Sequence, residues 1–390
     1  MTTNPSIPYG RQHITEDDID AVTAVLKSAY LTQGPAGPAF EQAVATHCGV
    51  AHAIAVTNAT AALHIACLAL EVGPGDLVWT TPITFVASAN CALYCGADVD
   101  FVDIDPRTYN LDVTVLAAKL AAAASAGRLP KVVIAVHMCG QPCDMAGIGA
   151  LAKQYGFKVI EDASHAIGGT YRGEPIGHCR YSDITIFSFH PVKIITTGEG
   201  GMAVTADDEL AKRLRLLRSH GITRDKELMA HEPEGPWVYH QIALGYNYRM
   251  TDIHAALGLS QMRHLNESVR KRHEIAQRYD HLLADLPVQL PWQHPDSYSG
   301  FHLYVIRLQL SKIRRSHREI FEAFWADRIL VNLHYMPVYH QPYYQRFGFA
   351  RENFPQAEQY YKETISLPMY PLYTEEQQDF VCGKLREYLS

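Results

Sequence analysis

The stretch FSFHPVKIITTGEGGMAVT, Phe187 to Thr205, places one lysine, Lys193, between an aromatic-rich apolar run and three glycines at 198, 200 and 201. The flanking runs DITIFSF and GMAVT are rich in β-branched and aromatic residues and read as strands, so the lysine lies in the connection between them. Outward from here the same β-rich character recurs in AIAVT (53–57), LVWTT (77–81), VDFVDI (99–104), KVVIAVH (131–137) and KVIED (158–162). Helix-like stretches such as Ala61 to Leu70 and Val113 to Ala123 separate these runs. Strand and helix in alternation predict an α/β fold, a mostly parallel sheet covered by helices with ligands outside the carboxyl ends of the strands.

The chain has 390 residues, enough for a large α/β domain and a smaller one. ITEDDIDAVTAVLKSAY opens with Thr15 as N-cap and Asp18 three residues later, ahead of Ile19, Val22, Val25 and Leu26 at helical spacing, and reads as an opening helix. From Met250 to Leu283 the pattern becomes one long helix-rich stretch, and Phe301 to Ser390 mixes two strand candidates with helices. The expected division is 1–250, a large domain with an N-terminal arm, and 251–390, a long helix and a smaller C-terminal α+β domain.

With 34 basic against 41 acidic residues the net charge is -7, without a Lys/Arg block, which argues against nucleic acid as a partner. Eight scattered cysteines read as reduced thiols; Cys91/Cys95 and Cys139/Cys143 share an i, i+4 spacing that is not a zinc knuckle, and no metal is expected. MTTNPSIPYGRQ lacks an apolar signal core, and the uncharged stretches 42–70 and 77–97 are broken by TNAT and TTPIT, so the expectation is a cytoplasmic protein without a membrane span.

Neither G-x-G-x-x-G nor the phosphate-loop pattern G-x-x-x-x-G-K-[ST] is present. The strand ends carry three other features. In AVTNATAALHIA a strand runs into a helix through Thr57, Asn58, Ala59 and Thr60, which suits either an ordinary N-cap or a phosphate site. KVIEDASHAIGG ends a strand in Glu161 and Asp162 with His165 three residues on, either surface acids and a core histidine or buried groups in want of a cationic partner. Lys193 either snorkels to water or loses its proton by desolvation and becomes a nucleophile for an aldehyde. An amine, an acid and an anion site together are what pyridoxal 5'-phosphate requires.

EDASHAIGG, FSFHPVKIITTGEGGM and GYNYRMTDIHAALGLSQ resemble the signature segments of the DegT/DnrJ group of sugar-nucleotide aminotransferases, fold-type I pyridoxal phosphate enzymes. LTQGPAGPAFEQAVA, TNATAALHIA, TTPITFVASAN, RSHGI, HYMPVYHQPYY and ISLP fit in order, so the resemblance spans nearly the whole chain. It implies that Lys193 forms the Schiff base, Asp162 pairs with the cofactor's pyridine nitrogen, His165 reaches its phenolic oxygen and Phe85 stacks on its ring. Asn58, Ala59, Thr60 and Ser188 would hold the phosphate, completed by Asn247 from the partner subunit of a homodimer. Glutamate is the implied donor and a 4-keto sugar nucleotide the acceptor.

Within the family, SFHPVKIITTGEGG, LTQG, RSHG and HYMPVYHQ are similar to the branch that aminates C4 in pseudaminic acid biosynthesis, which uses a UDP-linked 2-acetamido-2,6-dideoxy-4-keto hexose. Candidate substrate contacts are Tyr9, Arg11, Thr32, Gln33, Arg249, His334 and Tyr339. The alternatives are a 4-aminotransferase for another sugar nucleotide, of perosamine or bacillosamine type, the family's 3-dehydratase branch, in which histidine replaces the lysine, and a non-catalytic protein that keeps the fold.

Overall fold

The computed structural model describes residues 6–390; the segment read for a targeting signal, Met1 to Gln12, lies in part outside them. All seven β-rich runs become strands of one sheet: β1 (His52–Val56), β2 (Leu77–Thr80), β3 (Asp98–Phe101), β4 (Val132–Val136), β5 (Lys158–Asp162), β6 (Ile184–Ser188) and β7 (Gly201–Thr205). Their spatial order is β1-β7-β6-β5-β4-β2-β3. Five neighbouring strands run parallel, and β7 inserts antiparallel between β1 and β6.

Side chains along a strand alternate between faces, and here both faces are apolar: Val132, Ile134 and Ile160 enter one core, Val133, Ala135 and Val159 the other. A sheet buried on both sides requires helices on both sides. They are α1 (Glu16–Leu26), α2 (Ala36–Cys48), α3 (Ala59–Ala69), α4 (Ala87–Tyr94), α5 (Val113–Ser125), α6 (Met145–Tyr155) and α7 (Asp208–Arg218). Helix α3 is buried over most of its surface, in keeping with its uncharged sequence. Thr15 caps α1 as expected, and the Asp18 side chain closes the capping box.

The stretch expected as one long helix is two, α8 (Asp252–Met262) and α9 (Leu265–Leu282), with a break at Arg263 and His264. Helix α8 packs on α1 and α2, where the Gln261 amide donates to the His13 carbonyl (2.9 Å) and to Asp18 (2.6 Å). Helix α9 contributes Ala276 and Tyr279 to a third core built around strands Tyr304–Leu308 and Thr364–Leu367. An N-cap contributes about 1 kcal/mol and a buried aliphatic side chain about 1.5 to 3, so the two cores, not local propensity, decide where the helix breaks. Among the described residues no helix is long and apolar enough to cross a membrane.

The glycine cluster has two functions. Gly198 adopts a φ of +80°, as a turn residue does. Gly201 instead lies opposite both Val56 and Ser188, and a Cβ there would stand 2.4 Å from the Asn58 carbonyl carbon and 2.5 Å from the Ala59 nitrogen. Only glycine lets β7 lie this close to the start of α3.

Candidate active site

A cavity of about 1120 Å³ opens at the carboxyl ends of the strands. Asp162 enters it from the end of β5, Ser188 from the end of β6, and Lys193 from the loop between β6 and β7, where its amide donates to the His190 carbonyl (2.9 Å). Helix α3 presents Asn58, Ala59 and Thr60 to the same space. Asn58 is its N-cap, with Oδ1 accepting from the Ala61 amide at 2.8 Å. The helix therefore starts at the cavity, with its dipole favouring an anion there.

Asp162 is buried, and its partners are hydroxyls and one amide: Ser88 donates to Oδ2 (2.6 Å), while the Ser164 hydroxyl (2.6 Å) and amide (3.2 Å) reach Oδ1. Ser88 belongs to α4 and is itself joined to Thr84 at 2.8 Å. No salt bridge to Asp162 occurs among the described residues, so a buried acid faces the cavity without a cation in direct contact. Lys193 is half-buried on the cavity wall. Burial lowers its amine from the ordinary 10.5 to about 8, the charge of Asp162 opposing part of that shift.

His165 is buried beside them, with Nε2 3.3 Å from the Tyr335 hydroxyl and Nδ1 without a partner. Burial, with the Lys193 charge adding to it, holds this ring neutral, its basicity well below the usual imidazole value. Phe85 is 58% exposed at the cavity, its ring 6.1 Å from that of Tyr335. Across from α3 stand Tyr9, Asn332, His334 and Tyr335. The rings of Tyr9 and His334 lie 4.9 Å apart, and His334 Nδ1 meets Ser366 Oγ at 2.8 Å. Burial and then the Lys193 charge push His334 down to about 3, so it too is a neutral group.

The structure thus brings together Tyr9, Asn58, Ala59, Thr60, Phe85, Asp162, His165, Ser188, Lys193 and His334. The other expected contacts lie elsewhere within one chain. Arg11 lines a separate small cleft behind Lys193, with His13, Gln261 and His264. Thr32 bridges to Thr251, Asn247 to Ser219 and Arg249 to Val56, and only their neighbour Tyr248 reaches the cavity; Gln33, with a φ of +55°, does not line it. Tyr339 is a correction: it is buried in an aromatic core, stacked on Phe354 at 4.8 Å, with its hydroxyl donating to Glu358 (2.9 Å). The aromatic run after His334 turns this ring into the core, because the short helix Val338–His340 packs over Phe101.

Tyr335, Asn332, His302, Glu199 and Ser164 also line the cavity and Ser88 bonds Asp162, none of them expected from the sequence. Ser164 was legible as an Asx-turn partner two residues after Asp162. Tyr335 adjoins His334, whereas nothing in the sequence marks His302. An amine of reduced basicity, an acid without a cation in direct contact and a helix N-terminus on one wall fit a ligand that carries an aldehyde, a protonated ring nitrogen and a phosphate.

The chain is 39% identical over 387 residues to the spore coat polysaccharide biosynthesis protein SpsC of Bacillus subtilis, covering 98% of this chain and 97% of that one. It is 38% identical over 365 residues to the UDP-4-amino-4,6-dideoxy-N-acetyl-beta-L-altrosamine transaminase of Campylobacter jejuni, covering 93% and 92%. Among solved structures it matches Helicobacter pylori PseC, an aminotransferase involved in the biosynthesis of pseudoaminic acid, with a TM-score of 0.90, 30% identity and coverage of 98% and 99%. It also matches the PLP-form of the sugar aminotransferase Spr1654 of Streptococcus pneumoniae, with a TM-score of 0.88, 28% identity and coverage of 99% and 100%. The chain belongs to the DegT/DnrJ/EryC1/StrS aminotransferase family, whose family model matches residues 12–386.

Proposed function

We propose that this aminotransferase moves the amino group of glutamate to C4 of a UDP-linked 4-keto-6-deoxy-N-acetylhexosamine, as in pseudaminic acid biosynthesis. The observation that carries the chemistry is the meeting of Lys193, Asp162 and the start of α3 on one cavity. The likeness to the Campylobacter transaminase and to PseC supports the choice of sugar.

Pyridoxal 5'-phosphate is the cofactor, and when bound it supplies an electron sink for the carbanion formed at the amine-bearing carbon. Asn58, Ala59, Thr60 and Ser188 would hold the phosphate, and Phe85 would cover the ring. Asp162, its carboxylate oriented by Ser88 and Ser164, holds a proton at the ring nitrogen. His165 reaches the phenolic oxygen as a neutral imidazole. Lys193 moves the proton at the substrate carbon, and a basicity near 8 lets its Nζ both accept and return that proton close to neutral pH. Tyr9 and His334 line the substrate side. Asn247 of a second copy completes the phosphate site in a cytoplasmic homodimer, where Arg249, Thr32 and Gln33 also reach the substrate, with Arg11 beside Lys193.

Purified protein mixed with the cofactor should absorb in the visible, bleach with glutamate and then aminate the UDP-linked ketone of L-arabino configuration. A protein that stays colourless would overturn the cofactor site. Turnover of only GDP-linked or D-configured ketones would overturn the choice of sugar. The 39% identity to SpsC favours, as second reading, the same transfer onto another sugar nucleotide.

A further inference from the structure

His302 belongs to no motif, yet it lines the cavity and is buried. Its ring centroid stands 4.5 Å from that of His165, with 44° between the planes. No hydrogen bond holds its Nδ1, so the ring takes its orientation from packing and from the backbone beneath it. Burial, together with the Lys193 charge, keeps this imidazole neutral, and two neutral rings pack without repulsion.

That backbone is unusually constrained. Phe301 has a φ of +43°, a region costly for a bulky residue, and such strain persists only where the surroundings impose it. Arg272, fully buried on α9, donates Nη1 to the carbonyls of Phe301 (3.2 Å), His302 (3.1 Å) and Met369 (3.2 Å). The Gly300 amide donates to Gly140 (3.0 Å) and the Leu303 amide to Cys139 (3.2 Å), tying the segment to the loop after β4. The Met369 amide in turn donates to the Tyr9 carbonyl (2.9 Å), so one guanidinium fixes the backbone under two cavity residues.

We infer that His302 is a positioning residue of this site: packed against His165 and anchored through Arg272, it holds the His165 ring with Nε2 at the Tyr335 hydroxyl. The inference rests on the role proposed for His165 at the cofactor. A residue acting through His165 matters only while His165 is there. An aromatic pair of this kind corresponds to about a tenfold change in an equilibrium constant.

The test is a double-mutant cycle in cofactor affinity, read by visible absorbance as pyridoxal phosphate is titrated into the apo-protein. His302→Ala should weaken binding about tenfold in the otherwise unchanged chain, and less than about twofold when His165 is already alanine. His302→Phe, which keeps a ring against His165, should bind within about twofold of the parent. Equal losses in both backgrounds, no loss at all, or failure of the phenylalanine to restore binding would each overturn the inference. If His302→Ala does not fold, His302→Leu takes its place in the same cycle. A parent protein that binds no cofactor overturns the proposed function itself, a result distinct from a parent that binds with an additive cycle.

Discussion

Glu161 and Asp162 are neighbours on β5, both acids and both buried, and their side chains point to opposite faces of the sheet. Glu161 enters the far core with a complete set of partners: His137 Nε2 at 2.7 Å, and the hydroxyls of Thr185 (3.1 Å) and Ser182. The Cys143 amide donates to His137 Nδ1 (3.2 Å), which places the ring's proton on Nε2 and directs it at Glu161. Burial opposes the charge on Glu161, but these bonds outweigh it and hold the carboxyl below its usual range. Asp162 meets hydroxyls and an amide and has no salt-bridge partner among the described residues. A buried acid with its own partner is satisfied as scaffold, and one without an ion pair can still take a cation from a ligand, as proposed for Asp162.

The sharpest way to break this contrast is on the cavity side. Lys193→Ala should abolish transamination, a loss on the order of 10⁴-fold or more, and leave the melting temperature nearly unchanged. Steady-state assays and calorimetry on the same sample check both halves. Asp162→Asn keeps the shape and the contacts with Ser88 and Ser164 but removes the charge; kcat should fall by roughly 10²- to 10³-fold with stability within about 1 kcal/mol of the parent. If Asp162→Asn cost several kcal/mol of stability while the folded fraction kept its turnover, the two acids would have exchanged roles.

On the far side, His137→Ala should cost about 3 kcal/mol in denaturant unfolding, because it leaves a buried carboxylate short of its strongest partner, while the folded fraction keeps its kcat. The sign with pH follows from the lowered Glu161: its stabilising share is complete above the ordinary glutamate value and is lost as pH falls through the folded-state one, so the difference between parent and variant should narrow in acid. The smallest effect concerns Lys193. Its folded-state value of about 8 lies below the ordinary 10.5, so capture of an aldehyde by the apo-protein should rise about tenfold per pH unit up to 8 and then level off. A profile still climbing at pH 10 would mean that Lys193 is a solvated amine.

The reading of the strands succeeded because a sheet buried on both faces demands apolar runs in its interior, as VVIAV, ITIFS and GMAVT show, while the edge strand DVDF was legible from its alternation. Their order was not legible. Nothing in GMAVT states that β7 enters antiparallel between β1 and β6; in that position Gly201 permits the close approach to Asn58 and Ala59. Within the site, Lys193, Asp162 and the start of α3 were legible because each is a polar break at a strand end. Ser88 and His302 were not, since Ser88 reads as one more small residue of a helix and His302 precedes an ordinary strand. Tyr339 misled because an aromatic five residues after His334 can turn to the cavity or to the core, and this one packs in the core.

The sequence by itself determined the seven strands of the main sheet and which chemistry stands at their ends, because burial and capping act over a few residues, whereas the break in the helix after Met250 was left to packing. Only the tertiary structure decided that Glu161 would be satisfied by His137 and that Asp162 would face the cavity without an ion pair. The same holds for the backbone under His302, tied down by an arginine thirty positions earlier. The physical reason is one of range: a buried charge is answered by whichever groups the packed chain carries to it, and these come from elements far apart in sequence.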